Sequence, residues 1–332
     1  MLILGIETSC DETAASVLQT PRTLLSNVIY SQLIHKKFGG VVPELASREH
    51  IKKLVGIVDE ALDKSGCSLS DIDGYAVTYG PGLVGGLLVG LTFVKSMAQV
   101  LGKPFYGVNH LEGHIFSNRL QYSECQPPFI ALIVSGGHAN LVLVRDWGDY
   151  KLLGKTRDDA PGEAFDKIAK LLKLGYPGGP AIEKESSGGD RNFFKFPRAY
   201  MGKDSYEFSF SGLKTAVAVY LKDKSDEFIS KHLADICASF QEAVCEVLAA
   251  KAVAACRNLQ VDKISVCGGV AMNKRLQEMV RDMTDGVQVF FPGAGLCTDN
   301  AAMIAAVGGY YLEQGKSSPL DLNAVPYLGI GD

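Results

Sequence analysis

Two histidines four residues apart, His110 and His114, are candidate metal ligands. Positions i and i+4 lie on one helix face, so both rings can bind a single metal ion. A zinc protease of the His-Glu-x-x-His type needs its general base directly after the first histidine. Here Glu112 comes one residue later and points to another face of the helix. This spacing disfavours a metalloendopeptidase and leaves two interpretations, a metal site or two hydrogen-bonded helix histidines.

The composition predicts a soluble, cytoplasmic, two-lobed protein. With 332 residues, 47% hydrophobic and 21% charged, the chain is long enough for two cores. It starts without a basic leader, and its longest apolar runs are broken by glycine, lysine or proline. The 8 cysteines form no Cys-x-x-Cys pair and indicate reduced core thiols. A net charge of −4 gives no general attraction to nucleic acid, so an RNA substrate would need a local patch or a helper protein.

The elements that must position the histidines follow from the hydrophobic periodicity. Three strand-like runs, LILGIET, TAASVLQ and RTLLSNVIY, are followed by a helix over about 43–65, then by the strand GYAVTYG and a helix that ends near Leu101. The apolar face predicted for the first of these helices contains Leu45, Ile51, Leu54, Val55, Val58 and Leu62. From Pro128 the order begins again with FIALIVSGG, HANLVLVRD, YKLLGKTRD and the helix GEAFDKIAKLLKL. The strand VDKISVCGG, the helix VAMNKRLQEMV, the strand VQVFF and a final helix complete the pattern.

This internal repeat predicts an α/β fold with duplicated ribonuclease-H-like lobes, as in the actin, Hsp70 and sugar-kinase (ASKHA) superfamily, around a central nucleotide cleft. We expect a first lobe over 1–106, completed by the C-terminal helix at 297–326, and a second lobe over 107–296. The hairpin turns TSCDET and SGGHAN would face the nucleotide. Small residues at 135–137, and Gly268 with Gly269, would let phosphate or ribose approach the backbone. Each glycine motif alone is also typical of an ordinary hairpin turn.

Nine stretches in one order, from residue 3 to about 306, resemble the bacterial tRNA adenosine threonylcarbamoyltransferases (TsaD), formerly called glycoproteases or O-sialoglycoprotein endopeptidases. They are GIETSCDETAASV, GVVPELASREH, GPGLVGGLLVG, NHLEGHIFS, VSGGHANLV, GEAFDKIAKLLKLGYPGGPAIEK, FSFSGLKTAV, CGGVAMNKRL and CTDNAAMIA. A mild departure is Ala139 after SGGH, where threonine is usual. Such a set in one order is highly specific for the family.

The resemblance implies transfer of a threonylcarbamoyl group from threonylcarbamoyl-AMP to the adenosine beside the anticodon, in tRNAs that read codons starting with A. It also implies one divalent metal, Fe²⁺ or alternatively Zn²⁺, held by His110, His114 and Asp299. The substrate-binding residues that it implies are Val134, Ser135, Gly136, Gly137, His138, Asp166, Gly179, Glu183 and Asn273. The implied partners are tRNA, a degenerate paralogue (TsaB), a small ATPase (TsaE) and an upstream synthase of threonylcarbamoyl-AMP.

Several roles remain hypotheses on the sequence alone. Asp11, with Glu12 beside it, is the candidate for orienting or deprotonating the amine, although a turn aspartate also commonly caps its own loop. We expect Thr298 to cap the last helix and Asp299 to be its first residue. We further expect the metal ligands to lie at the hinge of the lobes and Glu112 to form a hydrogen bond behind the histidines.

The contact surfaces and the reaction class also have alternatives. The stretch DRNFFKFPRAYMGK mixes basic and aromatic residues, so it is either a tRNA-binding loop or a loop packed on the second lobe. The helix that starts at Pro43 is the expected contact for the paralogue. A small-molecule kinase of the same fold, which would release ADP, and a regulatory nucleotide-binding subunit are the other function classes. Two histidines and a carboxylate do not select among iron, zinc, manganese and cobalt.

Overall fold

The structure is a computed structural model that describes residues 1–200 and 205–331. The three strand-like runs that begin each half form strands, as predicted, and these strands pair antiparallel. The strands are β1 (Leu2–Glu7), β2 (Glu12–Gln19), β3 (Thr23–Ser31), β4 (Gly74–Gly80), β5 (Phe105–Asn109), β6 (Phe129–Val134), β7 (Ala139–Asp146), β8 (Asp149–Lys155), β9 (Lys263–Cys267) and β10 (Gln288–Phe290). The first sheet has the order β3-β2-β1-β4-β5 and the second the order β8-β7-β6-β9-β10. The last two strands of each sheet join in parallel. This shared order confirms the predicted duplication of a ribonuclease-H-like lobe.

The helices predicted from the sequence are present, with two differences at their ends, and further helices lie between them. They are α1 (Pro43–Ser65), α2 (Val84–Leu101), α3 (His110–Gln121), α4 (Pro161–Leu171), α5 (Gly178–Glu185), α6 (Ser211–Lys222), α7 (Asp226–Lys231), α8 (Leu233–Leu259), α9 (Lys274–Met283), α10 (Ala294–Cys297) and α11 (Ala301–Glu313). The stretch predicted as one helix at VAMNKRLQEMV is a 3-10 turn followed by α9. The last helix begins after Asp299, because Asn300 is its N-cap and accepts a hydrogen bond from the amide of Met303 at 3.1 Å. The predictions that Thr298 caps this helix and that the helix covers 297–326 were therefore wrong, because α11 ends at Glu313.

The chain divides into two compact units, residues 1–124 with 292–332, and residues 125–291. The sequence-based boundary at 106/107 differs, because it divided β5 and assigned α3 to the second lobe. In the structure β5 pairs with β4, and α3 packs against α11, so both belong to the first unit. As expected, the final helix α11 packs on the first sheet, against β1, β2 and β4.

Helix α1 lies with its apolar face only partly buried. Gly66 and Gly102, both in the left-handed conformation, end α1 and α2 where the sequence predicts. Leu54 is buried as expected, whereas Ile51 and Val55 are 67% and 58% exposed. The exposed side chains border a groove of about 390 Å³ between α1 and α2. Its lining residues are Ile51, Leu54, Val55, Leu88, Val89, Thr92 and Phe93.

Helix α2 is the one element, among the described parts of the chain, whose length and apolar composition would suffice to cross a membrane. The sequence predicts no membrane-spanning run here, because glycine and lysine interrupt this stretch. Helix α2 packs against β4 and α1, and 33% of it is buried. The same length and composition are typical of core helices and are weak evidence for a membrane span.

Candidate active site

His110, His114 and Asp299 converge at one point in the first unit. Both histidines lie on α3, one turn apart, and are 4% and 0% exposed. The oxygen Oδ1 of Asp299 lies 3.5 Å from Nε2 of His110 and 3.2 Å from Nε2 of His114. The two rings are nearly perpendicular, at 82°, with centroids 4.7 Å apart. The structure therefore brings these three residues together, within one unit.

The convergence fits a metal ion better than it fits a set of ordinary hydrogen bonds. One potential ligand atom from each residue lies within 4.8 Å of the others. Both ring nitrogens of His114 are buried; Nδ1 has no hydrogen-bond partner, and Nε2 faces only Oδ1 of Asp299 at 3.2 Å. Such poorly satisfied polar atoms are costly, and a metal on Nε2 would satisfy that nitrogen. Two imidazoles and a carboxylate are a donor set that suits iron or zinc.

The charges around His110 are strongly coupled. Burial alone would lower the pKa of this ring, but Asp299 and Glu7 raise it well above its usual value. For Asp299, burial opposes ionisation, yet the two histidines hold its pKa well below the usual range. The pKa of His114 is lowered, mainly by burial. In a buried cluster of this kind an ionised carboxylate is available to a cation at neutral pH.

Glu112 lies off the ligand face of α3. Its side chain is 6% exposed and accepts a hydrogen bond from the hydroxyl of Tyr311 at 2.8 Å. Burial and the neighbouring Glu112 raise the pKa of Tyr311, which keeps the phenol protonated as the donor. This glutamate is therefore not poised as the base of a metalloprotease.

The turn between β1 and β2 carries Asp11 and Glu12 and adjoins the histidines. The hydroxyl of Ser9 lies 3.2 Å from Nδ1 of His110. The turn is fixed through its backbone, because Nε2 of His50 donates to the carbonyl of Cys10 at 2.9 Å. Burial, Asp299 and Asp11 raise the pKa of Glu12 well above its usual value. Two neighbouring carboxyl groups, one of which holds its proton more tightly, are suited to acid–base chemistry.

The turn after β6 is the corresponding feature of the second unit. The carbonyls of Ser135 and Gly136 accept the amides of Gly162 and Glu163, at 3.2 Å each, so the turn rests on the start of α4. The amide of His138 donates to Oγ of Ser135 at 3.2 Å. A methyl group added at Gly136 or Gly137 would meet no atom within 4 Å, whereas one at Gly268 would meet the carbonyl of Val134 at 2.3 Å. The glycines of this turn are thus open to a ligand, and Gly268 serves close backbone packing.

The other residues expected to bind substrate in this unit also hold its backbone. Asp166 accepts the amide of Gly178 at the start of α5 at 2.7 Å, and Glu183 accepts the amide of Lys274 at the start of α9 at 2.7 Å. Asn273 caps α9, and its amide group also donates to Gln241 at 2.7 Å. Gly179 has open space around it. These contacts keep the side chains in place without requiring a ligand.

A cavity of about 880 Å³ lies beside Glu183. It is lined by Pro180, Glu183, Lys184, Ser186, Ser187, Gly188, Gly189, Asp190, Arg191, Asn192, Ala238, Gln241, Lys274, Arg275 and Glu278. This volume is within the range of small-molecule sites, and its walls are mainly polar. The contribution of the segment SSGGDRN was not anticipated, although its glycine pair was a signal for close backbone approach.

The aromatic residues of DRNFFKFPRAYMGK pack on the second unit. Phe196 is 1% exposed. The ring of Phe193 stacks on that of His232 with centroids 4.7 Å apart, and the ring centroids of Phe194 and Tyr220 are 4.1 Å apart. Arg198 pairs with Glu246 at 2.9 Å. The described part of this stretch matches the packed loop of the two alternatives, while Lys203 lies outside the described residues.

Sequence reasoning missed Glu7 at this site. Its side chain is fully buried and lies 3.0 Å from Nδ1 of His110. The available signal was a charged residue in the otherwise apolar run LILGIE. Because buried carboxylates are rare unless paired, its presence pointed to a polar partner within the core.

Two sheets of identical order define an α/β protein with duplicated ribonuclease-H-like lobes, the fold expected from the sequence. HypF from T. kodakarensis has this fold, with a TM-score of 0.62 at 16% identity over 94% of this chain and 48% of that one. Component A of (R)-2-hydroxyglutaryl-CoA dehydratase from Acidaminococcus fermentans has a TM-score of 0.55 at 12% identity, over 95% and 100%. At these identities the likeness concerns the fold alone.

The family model of tRNA N6-adenosine threonylcarbamoyltransferase (TsaD) matches residues 23–306. A protein of that name from Clostridioides difficile (strain 630) is 52% identical over 333 residues, covering 99% of this chain and 98% of the relative. Another, from Clostridium perfringens (strain SM101 / Type A), is 51% identical over 336 residues, covering 100% and 98%. The chain belongs to the tRNA N6-adenosine threonylcarbamoyltransferase family, and the resemblance noted in the sequence is confirmed. It is a tRNA-modifying transferase.

Proposed function

We propose that this enzyme transfers the threonylcarbamoyl group of threonylcarbamoyl-AMP to the exocyclic amine of the adenosine beside the anticodon, in tRNAs that read codons starting with A. The amine nitrogen forms a bond to the carbamoyl carbon, the bond from that carbon to the phosphate oxygen breaks, and AMP leaves. The attacking amine gives up one proton. Membership of the family supports the reaction. The structural observation that carries the site is the 3.2 Å approach of Ser9, in the acidic turn, to the metal-type cluster at His110.

We assign one divalent metal, Fe²⁺ or alternatively Zn²⁺, to His110, His114 and Asp299. When bound, such an ion supplies a Lewis acid for a substrate oxygen. The burial of both ring nitrogens of His114 and the short separations of the three side chains support this assignment. Because the set contains only two neutral donors and one carboxylate, it leaves coordination positions for substrate.

Asp11 is the residue that we assign to orient the amine and accept its proton, with Glu12 as its neighbour. An acyl-adenylate is already activated, so the protein must mainly align the amine and hold the charges that develop. Asp11 is partly exposed in the turn and is thus accessible to the adenine base of a bound tRNA. Glu12, whose pKa is raised by burial and by Asp299, would hold a proton beside it.

The adenylate would be bound by the second unit. The open glycines at 136 and 137 leave the backbone free for a phosphate, and Ser135 offers a hydroxyl. Asp166, Glu183 and Asn273 would provide polar contacts to the nucleoside, together with Val134, His138 and Gly179. The cavity beside Glu183 has space for a nucleoside. AMP or ATP would occupy the same site as the donor.

The partners follow from the family reading. We propose that the enzyme works in the cytoplasm with tRNA, a degenerate paralogue (TsaB), a small ATPase (TsaE) and a synthase that supplies threonylcarbamoyl-AMP. The exposed apolar groove on α1 and α2, with Ile51 and Val55 on its border, supports a docking surface for the paralogue there. No other function is favoured by a specific observation.

The reaction is tested by following isotope-labelled threonine from threonylcarbamoyl-AMP into purified tRNA, with the paralogue and the small ATPase present. We expect label in tRNA and AMP as the other product. A matched control is a tRNA with guanosine in place of the adenosine beside the anticodon, which should stay unlabelled. Release of ADP without labelled tRNA would instead indicate a kinase and would contradict the proposal.

A further inference from the structure

Glu7 occupies an unusual position at the end of β1. It is a carboxylate with no exposed surface, and it receives three hydrogen bonds from three different parts of the first unit. The amide of Ser9 donates to Oε1 at 2.6 Å, and the hydroxyl of Thr78 donates to Oε2 at 2.7 Å. The third partner is Nδ1 of His110, which lies 3.0 Å from Oε2.

The third contact fixes which nitrogen of His110 carries a proton. An ionised carboxylate only accepts hydrogen bonds, so Nδ1 must be the donor. A neutral imidazole then has its lone pair on Nε2, which is the atom that faces Asp299 at 3.5 Å. Ser9 Oγ, 3.2 Å from the same Nδ1, can act as a second acceptor and is compatible with this assignment.

We propose that Glu7 is a positioning residue that holds His110 as a metal ligand through Nε2, an inference that rests on the metal site assigned above. Carboxylate–histidine–metal arrangements orient the ring and increase its basicity, so loss of the carboxylate typically weakens metal binding by about 10- to 100-fold. Through the amide of Ser9, the same carboxylate also ties the ligand to the turn that carries Asp11. Glu7 thus sets the metal ligand and the acidic turn relative to each other.

The chemistry of the side chain makes glutamine a sharp test. The carboxylate oxygens of Glu7 serve three donors, whereas the amide of Glu7→Gln has one oxygen and an NH₂ group that would face a donor. Either Ser9 or the pair of Thr78 and His110 must then lose its acceptor. Glu112→Gln is the matched control, because it neutralises another buried carboxylate of the same unit that bonds to Tyr311 and lies off the ligand face.

The first experiment uses the wild-type protein with ¹⁵N-labelled histidine and Zn²⁺ as the probe. We expect the ¹⁵N NMR shifts of His110, assigned by the signal lost in His110→Ala, to show a protonated Nδ1 and a metal-bound Nε2. The Nδ1 proton should exchange slowly, because Glu7 is buried. Metal binding through Nδ1, or an unprotonated Nδ1, would overturn the proposal even if the Glu7 variant does not fold.

The second experiment compares Zn²⁺ affinity by competition with a chelating dye. Glu7→Gln should bind Zn²⁺ about 10- to 100-fold more weakly than wild type, while Glu112→Gln stays within about 3-fold. Circular dichroism checks that each variant is folded. Unchanged affinity in Glu7→Gln, or an equal loss in both variants, would overturn the role of Glu7 alone. Absence of Zn²⁺ binding by the wild-type protein would overturn the metal site, and this role with it.

Discussion

The two units have the same sheet order but differ in how deeply their ionisable groups are buried. In the first unit, Glu7, His110, His114 and Asp299 are gathered in the interior and shift one another's pKa values. In the second unit the carboxylates of the expected site lie nearer the surface. There Asp166 and Glu183 accept backbone amides at helix starts. A duplicated fold has therefore been used once for a buried charge cluster and once for an open backbone surface.

Under the proposed function, this difference predicts separate roles for the two units. A low-dielectric cluster strengthens electrostatic effects on a reacting group, which suits activation of the carbonyl and the amine. An exposed glycine turn suits the approach of an anionic ligand, which brings its own charge. We therefore expect substitutions in the first unit to affect metal binding and chemistry, and those in the second to affect substrate binding.

The largest effect is expected from the metal ligands. Asp299→Ala and His110→Ala should each lose bound metal and reduce threonylcarbamoyl transfer to background, because two remaining ligands hold an ion weakly. Elemental analysis of anaerobically purified protein gives the occupancy, and circular dichroism shows that the fold persists. Glu112→Gln should keep its metal. Full occupancy in Asp299→Ala would refute the site, as would direct ligation by Glu112.

Asp11→Asn should have the next largest effect. The variant should fold, keep its metal and bind nucleotide, yet transfer about 100-fold or more slowly, the usual scale for a positioned acid or base. The measurement is the single-turnover rate with saturating threonylcarbamoyl-AMP. Asp63→Asn, near the end of α1, is a control that removes a charge far from the turn in sequence. A near-normal rate in Asp11→Asn would show that the turn aspartate only caps its own loop.

Two glycines of the second unit should respond differently to the same added methyl group. Gly268 has a φ of +89° and no space for a side chain, so Gly268→Ala should destabilise the protein by about 1–3 kcal/mol. Gly136 has open space, so Gly136→Ala should keep its stability and raise the KM for threonylcarbamoyl-AMP by about 10-fold. Denaturant unfolding and steady-state kinetics separate the two effects. An unchanged KM in Gly136→Ala would make this an ordinary hairpin turn.

The docking surface predicts a smaller effect, confined to one partner. Ile51→Asp should leave stability within about 0.5 kcal/mol, because the side chain is 67% exposed, while weakening binding to the paralogue by about 10-fold. Lys52→Gln, at the neighbouring exposed position, changes the charge by the same amount and should leave binding intact. Calorimetry with the purified paralogue measures both. Equal affinity for wild type and Ile51→Asp would remove the groove from consideration.

Local signals were sufficient for much of the fold, since strand-like runs predicted the main strands and the apolar periodicity predicted the ends of α1 and α2 near Ser65 and Leu101. They were insufficient where the burial or the partners of a side chain depend on residues distant in sequence. Ile51 belongs to the apolar face of α1 by its spacing, yet it borders the open groove between α1 and α2 and is exposed. The partners of His110 come from positions as distant as Glu7 and Asp299, which only the folded sheet brings together. The unit boundary likewise depended on strand pairing and not on composition.

The smallest expected effect tests whether carboxylates of the second unit act on its backbone. Asp158 accepts the amide of Phe210 at 2.8 Å and the hydroxyl of Ser211 at 2.7 Å, at the start of α6. Partial burial opposes ionisation, but hydrogen bonds from Ser209, Ser211 and Phe210 lower the pKa of Asp158 below its usual value. A lowered pKa stabilises the folded state above the unfolded-state pKa, and this contribution is lost as the pH falls through the folded-state value.

Because Asp158 is exposed, we expect Asp158→Asn to cost only a fraction of about 1 kcal/mol at pH 7. That cost should begin to shrink as the pH falls below about 4, the unfolded-state pKa of an aspartate, and should vanish only below the lower folded-state pKa, where the wild-type carboxylate also loses its charge. Urea unfolding of the two proteins from pH 7 to pH 3 measures the difference, and Ser209→Ala, which removes one donor but keeps the titrating group, should fall between them. If the difference is the same at every pH, the charge of Asp158 does not stabilise this unit. Backbone capping by carboxylates would then not be what distinguishes the second unit from the first.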